Sequence, residues 1–471
     1  MLGRSDSWAR SIQAISTMSG ASFLERPTMS FPAATLLEEN PIAPSVDEPS
    51  SFLTSGFFSP PDDILMVRGE GIYLYDSNGS RYIDCAAATF NLSLGYSNEE
   101  VIAAATAQMR SLIHSTSSFL TAPVARLTNK LLEVSPPGLE KVHLKVSSGS
   151  AANEGAIKMA QFVTGKTDVI SLFRSHLGQT IFTMNASGNG FRRRPFRLAN
   201  SGILHVPAPY CRRCFYNQKP ETCALLCVER INDFIDYASS GEVAAVIVEP
   251  VLGNGDNIIP PPGYLQALRT LCDERGITLI FDEVQTGIGR TGQMFAAQTF
   301  GVTPDIMTVA KGLGGTGFQV AAILCKPEYA QMDSMHHSFT YGSNVMAAAA
   351  TRTLEIISQP AFLANVRTVG SYVVERLKSM QQLYPRVIGD VRGVGLMIGF
   401  EIVDDDGMPD LVRLKVLKET AFKRGLIMRD SRYGRGNVLK IRPPLIISTE
   451  QAEDLCNILE QSLVEVFGPA I

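Results

Sequence analysis

The sequence predicts an α/β protein built on a mostly parallel sheet with helices on both faces. Three observations lead there. Apolar runs such as "VAAVIV" (243–248) are continuous rather than alternating, as strands buried on both faces are. Such runs are separated by stretches with apolar residues at helical spacing, and this alternation builds parallel sheets. Within "KVHLKVSSGSAANEGAIKMAQFV" the period itself changes. Val142, Leu144 and Val146 alternate with Lys141, His143 and Lys145; Ala152, Ala156, Ile157, Ala160 and Val163 then share one helical face.

The elements follow in order. "GIYLYDSNGSRYIDC" reads as two short strands around the Asn78-Gly79 turn. "EEVIAAATAQMRSLI" and "APVARLTNKLLEV" read as helices. After the strand and helix above come the strand "VAAVIVEP", a helix "GYLQALRTLCDERG" stopped by Gly276, and the strands "ITLIFDE", "IMTVAK" and "AAILC". The helix "NVMAAAATRTLEII" closes this part. Beyond it the pattern loosens into helices and short strands such as "GLMIGFEIV". The expected organisation is a large domain over 95–356 and a smaller α+β domain from 56–94 and 357–471.

Composition bounds the function. Of 471 residues, 45% are hydrophobic and 19% charged, below the globular norm of roughly 25% charged, which fits a well-buried, enzyme-sized protein. Lys plus Arg number 42 and Asp plus Glu 46, a net charge of -4 with no basic excess for nucleic acid. No apolar run approaches the ~20 residues of a membrane helix. Eight cysteines in so long a chain do not form a disulfide scaffold, so a reducing compartment, the cytoplasm, is expected. Residues 1–55 read as a disordered leader. Its start is rich in Ser, with Arg4, Arg10 and the lone early acid Asp6, so a mitochondrial presequence is the alternative.

In an open α/β sheet, ligands bind beyond the carboxyl ends of the strands. Those ends carry Glu249; Asp282, Glu283 and Gln285; and Lys311 ahead of "GLGGTG". Ser147-Ser148-Gly149-Ser150 opens a helix, where free N–H groups and the dipole favour an anion, although a plain N-cap uses the same residues. Lys311 alone reads as a strand-end lysine reaching solvent. Buried, its pKa would fall and its amine would attack carbonyls. Together a phosphate cradle, a carboxylate and an amine at the ends of one sheet match pyridoxal phosphate. The phosphate wants the helix start, the pyridine nitrogen a carboxylate, and the aldehyde a lysine. "GIGRTG" (287–292) satisfies the dinucleotide pattern, but "DEVQT" separates it from its strand, so it reads as a turn.

With these residues in view, the sequence resembles the class III pyridoxal-phosphate-dependent aminotransferases, of fold-type I. The resemblance runs from about residue 65 to the C-terminus. It is carried by "FDEVQTGIGRTGQMFA", "PDIMTVAKGLGG" and "FTYGSN", supported by "VIVEP" and "SSGSAANEGAIKMA". Within the class, "PPGLEKV", "VTGK", "IDYASSG" and "KIRPPL" look most like the dialkylglycine decarboxylase branch. The resemblance implies that Lys311 bonds the cofactor and then carries a proton, and that Asp282 pairs with the pyridinium. It places Val284 on one ring face, His176 on the other, and Gln285 at the phenolic oxygen. Ser148, Gly149 and Ser150 would hold the phosphate, joined by Thr340 of a neighbouring subunit. Arg442 would grip a substrate carboxylate, with Glu249 and Thr89 on the substrate side. A homodimer with shared active sites is implied, acting on an amino donor and a 2-oxo acid.

Some positions depart from the family. His176 is followed by Leu177-Gly178, where an aromatic followed by His-Gly is usual. Gln319 and Val345 replace usual prolines, and "AATFNLSLG" has Thr89, Phe90 and Asn91 where the decarboxylase has a glutamine. These changes surround the substrate, so decarboxylation and racemisation stand as alternatives to amino transfer. Arg442 also reads as a structural arginine before Pro443-Pro444, and Glu249 as a solvated strand-end acid. Cys211, Cys214, Cys223 and Cys227 have zinc-like spacing. Packing thiols are preferred, and no metal is expected.

Overall fold

Strands 243–248, 278–282 and 306–309 are buried at every position, as their unbroken apolar runs require. They form the middle of a seven-stranded sheet in the order 141–143, 322–325, 306–309, 278–282, 243–248, 168–172, 203–206. Strand 322–325 runs antiparallel to both neighbours, and the others share one direction. The computed structural model describes residues 64–469 apart from 117, 197–201, 341–343 and 432–435. The leader expected at 1–55 lies outside the described residues.

Side-chain alternation sends each strand's residues into two cores. Val246, Val248, Leu279 and Phe281 pack with Leu127 and Leu131 of helix 122–134 and Leu268 of helix 264–275. Ala245, Ile247 and Ile280 pack with Ala152, Ala156 and Ile157 of helix 149–164 on the opposite face. A third core lies on an antiparallel sheet of strands 388–394, 397–402, 438–441 and 429–430. Helices 360–383, 411–423 and 449–467 cover it, and Ile72, Ile83 and Cys85 join from the N-terminal hairpin.

The Asn78-Gly79 hairpin forms as expected, strand 73–76 pairing antiparallel with 81–84. Helix 264–275 ends at left-handed Gly276. The "GIGRTG" segment is a turn, with Gly289 and Gly292 at φ +82° and +88°. No helix among the described residues is long and apolar enough to cross a membrane.

Candidate active site

Strands 278–282 and 306–309 lie parallel with Asp282 level with Thr308. The two chains therefore leave the sheet together, one carrying Asp282 and the other Lys311. The backbone at Lys311 is left-handed, φ +40°, a conformation rare for a non-glycine residue and found most often where function holds it. Helix 149–164 starts opposite, Ser148 capping it by accepting from Ala151 N at 3.2 Å. Ser150 Oγ accepts from Gln179 N at 3.0 Å. Each hydroxyl keeps its hydrogen to donate, alongside first-turn N–H groups that have no carbonyl one turn back.

A cavity of about 280 Å³ is lined by Ser148, Gly149, Ser150, His176, Asp282, Val284 and Lys311. The sequence thus named seven residues that the fold gathers around one space. Gly149 is required there: an added Cβ would stand 2.8 Å from Val284 Cγ1. Asn153, which sequence reasoning passed over, fixes the carboxylate. Its Nδ2 donates to Asp282 Oδ2 and to Leu177 O, both at 2.7 Å, and its Oδ1 accepts from Thr308 at 2.6 Å. The available signal was an amide on the helix's apolar face beside Ala152 and Ala156. Val284 N completes the clamp on Asp282 Oδ1 at 2.9 Å.

Burial raises the Asp282 carboxyl above its ordinary range, Lys311 opposing it. Burial lowers the Lys311 amine despite Asp282 and Glu249 nearby. His176 is held down to about 3, first by burial and then by the charges of Lys311, Arg192 and Lys440. It is an uncharged ring at neutral pH, suited to lying on another ring.

Five predicted residues sit behind this space or outside it. Glu249 is buried, and its oxygens accept from His176 N at 2.8 Å and Gly253 N at 2.9 Å. Gln285 Oε1 accepts from Arg442 Nη1 at 2.5 Å. Arg442 Nη2 donates to Gly253 O at 2.7 Å and Asn257 Oδ1 at 2.5 Å, leaving buried Nε without a partner. Thr89 is exposed and bonds Asn91 Oδ1 through its N–H at 3.0 Å and its hydroxyl at 3.2 Å. Thr340 is exposed and does not line its own chain's cavity. A further buried cation, Lys440, lies two residues before Arg442 on strand 438–441.

The four cysteines line one small cavity of about 20 Å³, all as free thiols. Among the described residues, no set of three or more His, Cys, Asp or Glu is arranged to hold a metal ion. Burial, with Cys211 and Cys223 beside it, pushes the Cys227 thiol up to about 11.

The site residues fit pyridoxal phosphate. Hydroxyls and N–H groups stand at a helix start, a clamped carboxylate faces them, and an amine of lowered pKa lies beside it. Fold and site together define a pyridoxal-phosphate enzyme of fold-type I. The family model for class III aminotransferases matches residues 58–463, and the chain belongs to that family. It is 36% identical over 411 residues to a leucine/methionine racemase of Thermococcus litoralis, covering 86% of this chain and 91% of that protein. It is also 36% identical over 399 residues to an acetylornithine aminotransferase of Methanothermobacter thermautotrophicus, covering 84% and 93%. Among solved structures, an omega transaminase from Pseudomonas jessenii in complex with PMP superposes with a TM-score of 0.80 at 28% identity, covering 88% and 94%. The protein is a pyridoxal-phosphate-dependent aminotransferase.

Proposed function

We propose that this aminotransferase moves an amino group between an amino acid or amine and a 2-oxo acid, with Lys311 as its proton carrier. The observation that carries the reading is the placing of clamped Asp282 and half-buried Lys311 at neighbouring strand ends. Bound here, the cofactor would supply an electron sink, provided its ring nitrogen stays protonated. Asp282 keeps it protonated, and Asn153 keeps Asp282 ionised by donating to it. Ser148, Gly149 and Ser150 hold the phosphate. Val284 and His176 flank the ring, and Gln285, its acceptor spent on Arg442, offers amide hydrogens to the phenolic oxygen. Lys311, its amine's pKa lowered by burial, takes and returns the substrate's α-proton. Arg442 and Glu249 bound the substrate side, with Thr89 at its mouth.

A homodimer supports this arrangement. Leu112, Ile113, Phe119, Leu120 and Phe339 are large apolar side chains left exposed, the kind of patch that marks an interface. Exposed Thr340 follows Phe339, ready to reach the neighbour's phosphate. We place the enzyme in the cytoplasm, in keeping with its free thiols.

Racemisation is the second reading, supported by the likeness to the Thermococcus litoralis racemase. The likeness to the dialkylglycine decarboxylase branch we keep as a proposal for ancestry rather than reaction. Thr89 is exposed and spends its N–H and hydroxyl on Asn91 Oδ1, so it is not aimed at a departing carboxylate. The test is a panel of amino donors and 2-oxo acids given to purified enzyme, with Lys311→Ala beside it. We expect oxo-acid formation without carbon dioxide release, no turnover by Lys311→Ala, and borohydride fixing the cofactor to Lys311. Loss of an α-deuterium without oxo acid would establish a racemase instead, and stoichiometric carbon dioxide a decarboxylase. Fixation to any other lysine would overturn the assignment.

A further inference from the structure

Segment 335–340 is exposed at every position except His337. That ring, 6% exposed, lies against helix 149–164, whose start forms the phosphate cradle. Its Nε2 stands 2.8 Å from Ala151 O. A carbonyl only accepts, so Nε2 carries the ring hydrogen and donates it, and the oxygen's second lone pair remains for its helical partner. Nδ1 is then the acceptor, and Lys158 Nζ lies 3.5 Å from it. Burial lowers the ring's pKa; Ala151 O opposes the fall and Lys158 adds to it, so the ring is neutral at pH 7.

The helix is shaped to receive this ring. Gly155 sits in its interior, where glycine is a poor helix former. A Cβ there would stand 2.5 Å from His337 Cδ2 and 2.6 Å from Nε2, inside the ring's own space. The backbone around His337 is fixed as well. His337 O is 2.9 Å from His143 Nε2 on strand 141–143, and Phe339 N donates to Lys145 O at 3.0 Å. His337 thus joins the strand that enters the 147–150 turn to the helix that leaves it. Ala151 completes the link: its N–H donates to Ser148 Oγ at 3.2 Å while its carbonyl receives His337.

We propose that His337 is a positioning residue for the phosphate cradle: it bolts the first turn of helix 149–164 to the strand before it, and so keeps the Ser148 hydroxyl and the first-turn N–H groups aimed at the cofactor's phosphate. His337 does not line the cofactor cavity and acts through Ala151. Its own donor goes to the helix, and the helix's donors stay free for the anion. This rests on the cofactor reading of the site and deepens it, and it holds whichever reaction the site runs.

The test uses the full-length chain, stripped of cofactor and titrated spectroscopically with pyridoxal 5′-phosphate and with pyridoxal, which differ only in the phosphate. His337→Leu removes the donor and keeps bulk. His337→Gln keeps an N–H donor of similar reach, and Gly155→Ala keeps the histidine but takes its space. The preference for the phosphorylated form, read as the ratio of the two Kd values, should fall about tenfold in His337→Leu and in Gly155→Ala, the upper end of what one neutral hydrogen bond contributes. Pyridoxal affinity should stay unchanged, and His337→Gln should recover most of the preference. A purely structural role would weaken both compounds alike. A parent that prefers pyridoxal 5′-phosphate with the ratio unmoved in the variants keeps the cofactor reading and overturns the bolt; should His337→Leu not fold, Gly155→Ala alone decides this. Thr340→Val tests the other route to the phosphate. If His337→Leu costs nothing further in a Thr340→Val chain, the loss runs through Thr340 rather than Ala151, which also overturns the bolt.

Discussion

His205 and His176 are both kept neutral by burial, His205 held down to about 4 with Arg193 opposing its charge as well. The buried His205 Nε2 has no hydrogen-bond partner. Because the folded pKa lies below the ordinary 6.5, the unfolded chain binds more protons between the two values. The stability this contributes is complete above about pH 6.5 and is lost as the pH falls towards 4. Replacing His205 by Gln should therefore flatten the acid side of the stability curve. Urea unfolding at about pH 7.5 and about pH 5 should show the parent losing ~1–3 kcal/mol more than the variant between the two. An equal loss in both would mean that His205 already carries its proton in the folded state.

At the scale of elements, the phosphate cradle depends on how closely helix 149–164 approaches the turn after strand 278–282. Alanine is a better helix former than glycine, so propensity alone favours Gly149→Ala. The new Cβ would nevertheless stand 2.8 Å from Val284 Cγ1, closer than real Cβ contacts come. The helix start or Val284 must shift, and both touch the cofactor cavity. Gly149→Ala should weaken cofactor affinity at least tenfold in a spectroscopic titration, the scale at which a misplaced positioning group costs about 1.4 kcal/mol. Adding Val284→Ala should restore most of it. If the double variant binds no better than the single, crowding by Val284 is not the cause. This requirement was partly legible, since a Ser-Gly-Ser turn opening a helix signals an anion site. The contact with Val284 was not, because it joins segments 135 positions apart.

Across the whole molecule, the segment bearing the four cysteines is tied to the antiparallel sheet through Glu401. Its fully buried side chain accepts from Tyr210 Oη, Arg212 Nε at 3.1 Å, Arg213 Nη2 at 3.1 Å and Arg392 Nη1 at 3.2 Å. Burial alone would raise the carboxyl, but Tyr210 and the three arginines hold it below its ordinary range. Removing it leaves Arg212 and Arg213 without their carboxylate and takes one of two carboxylates from Arg392, which keeps Asp390. Glu401→Ala should destabilise the fold by ~3–5 kcal/mol in chemical denaturation, the cost of breaking a buried ion pair from one side. A loss under ~1 kcal/mol, typical of surface pairs, would show that water reaches these charges.

The sequence by itself determined the fold class, five of the seven strands of the central sheet, and the strand-end placement of Asp282 and Lys311. Burial writes itself into local periodicity: unbroken apolar runs mark strands covered on both faces, and chemistry collects where those runs end. It also marked the Ser148–Ser150 turn, for the same local reason. Only the tertiary structure decided who meets whom. Asn153 clamps Asp282 from 129 positions away. Arg442 spends both terminal nitrogens on Gln285, Gly253 and Asn257. Lys440 and Arg442, two apart and so on one face of their strand, come to lie under Phe90. A side chain's own neighbours in sequence record whether it is buried. Strand order and helix packing, which no local pattern encodes, settle which distant donor it is buried against.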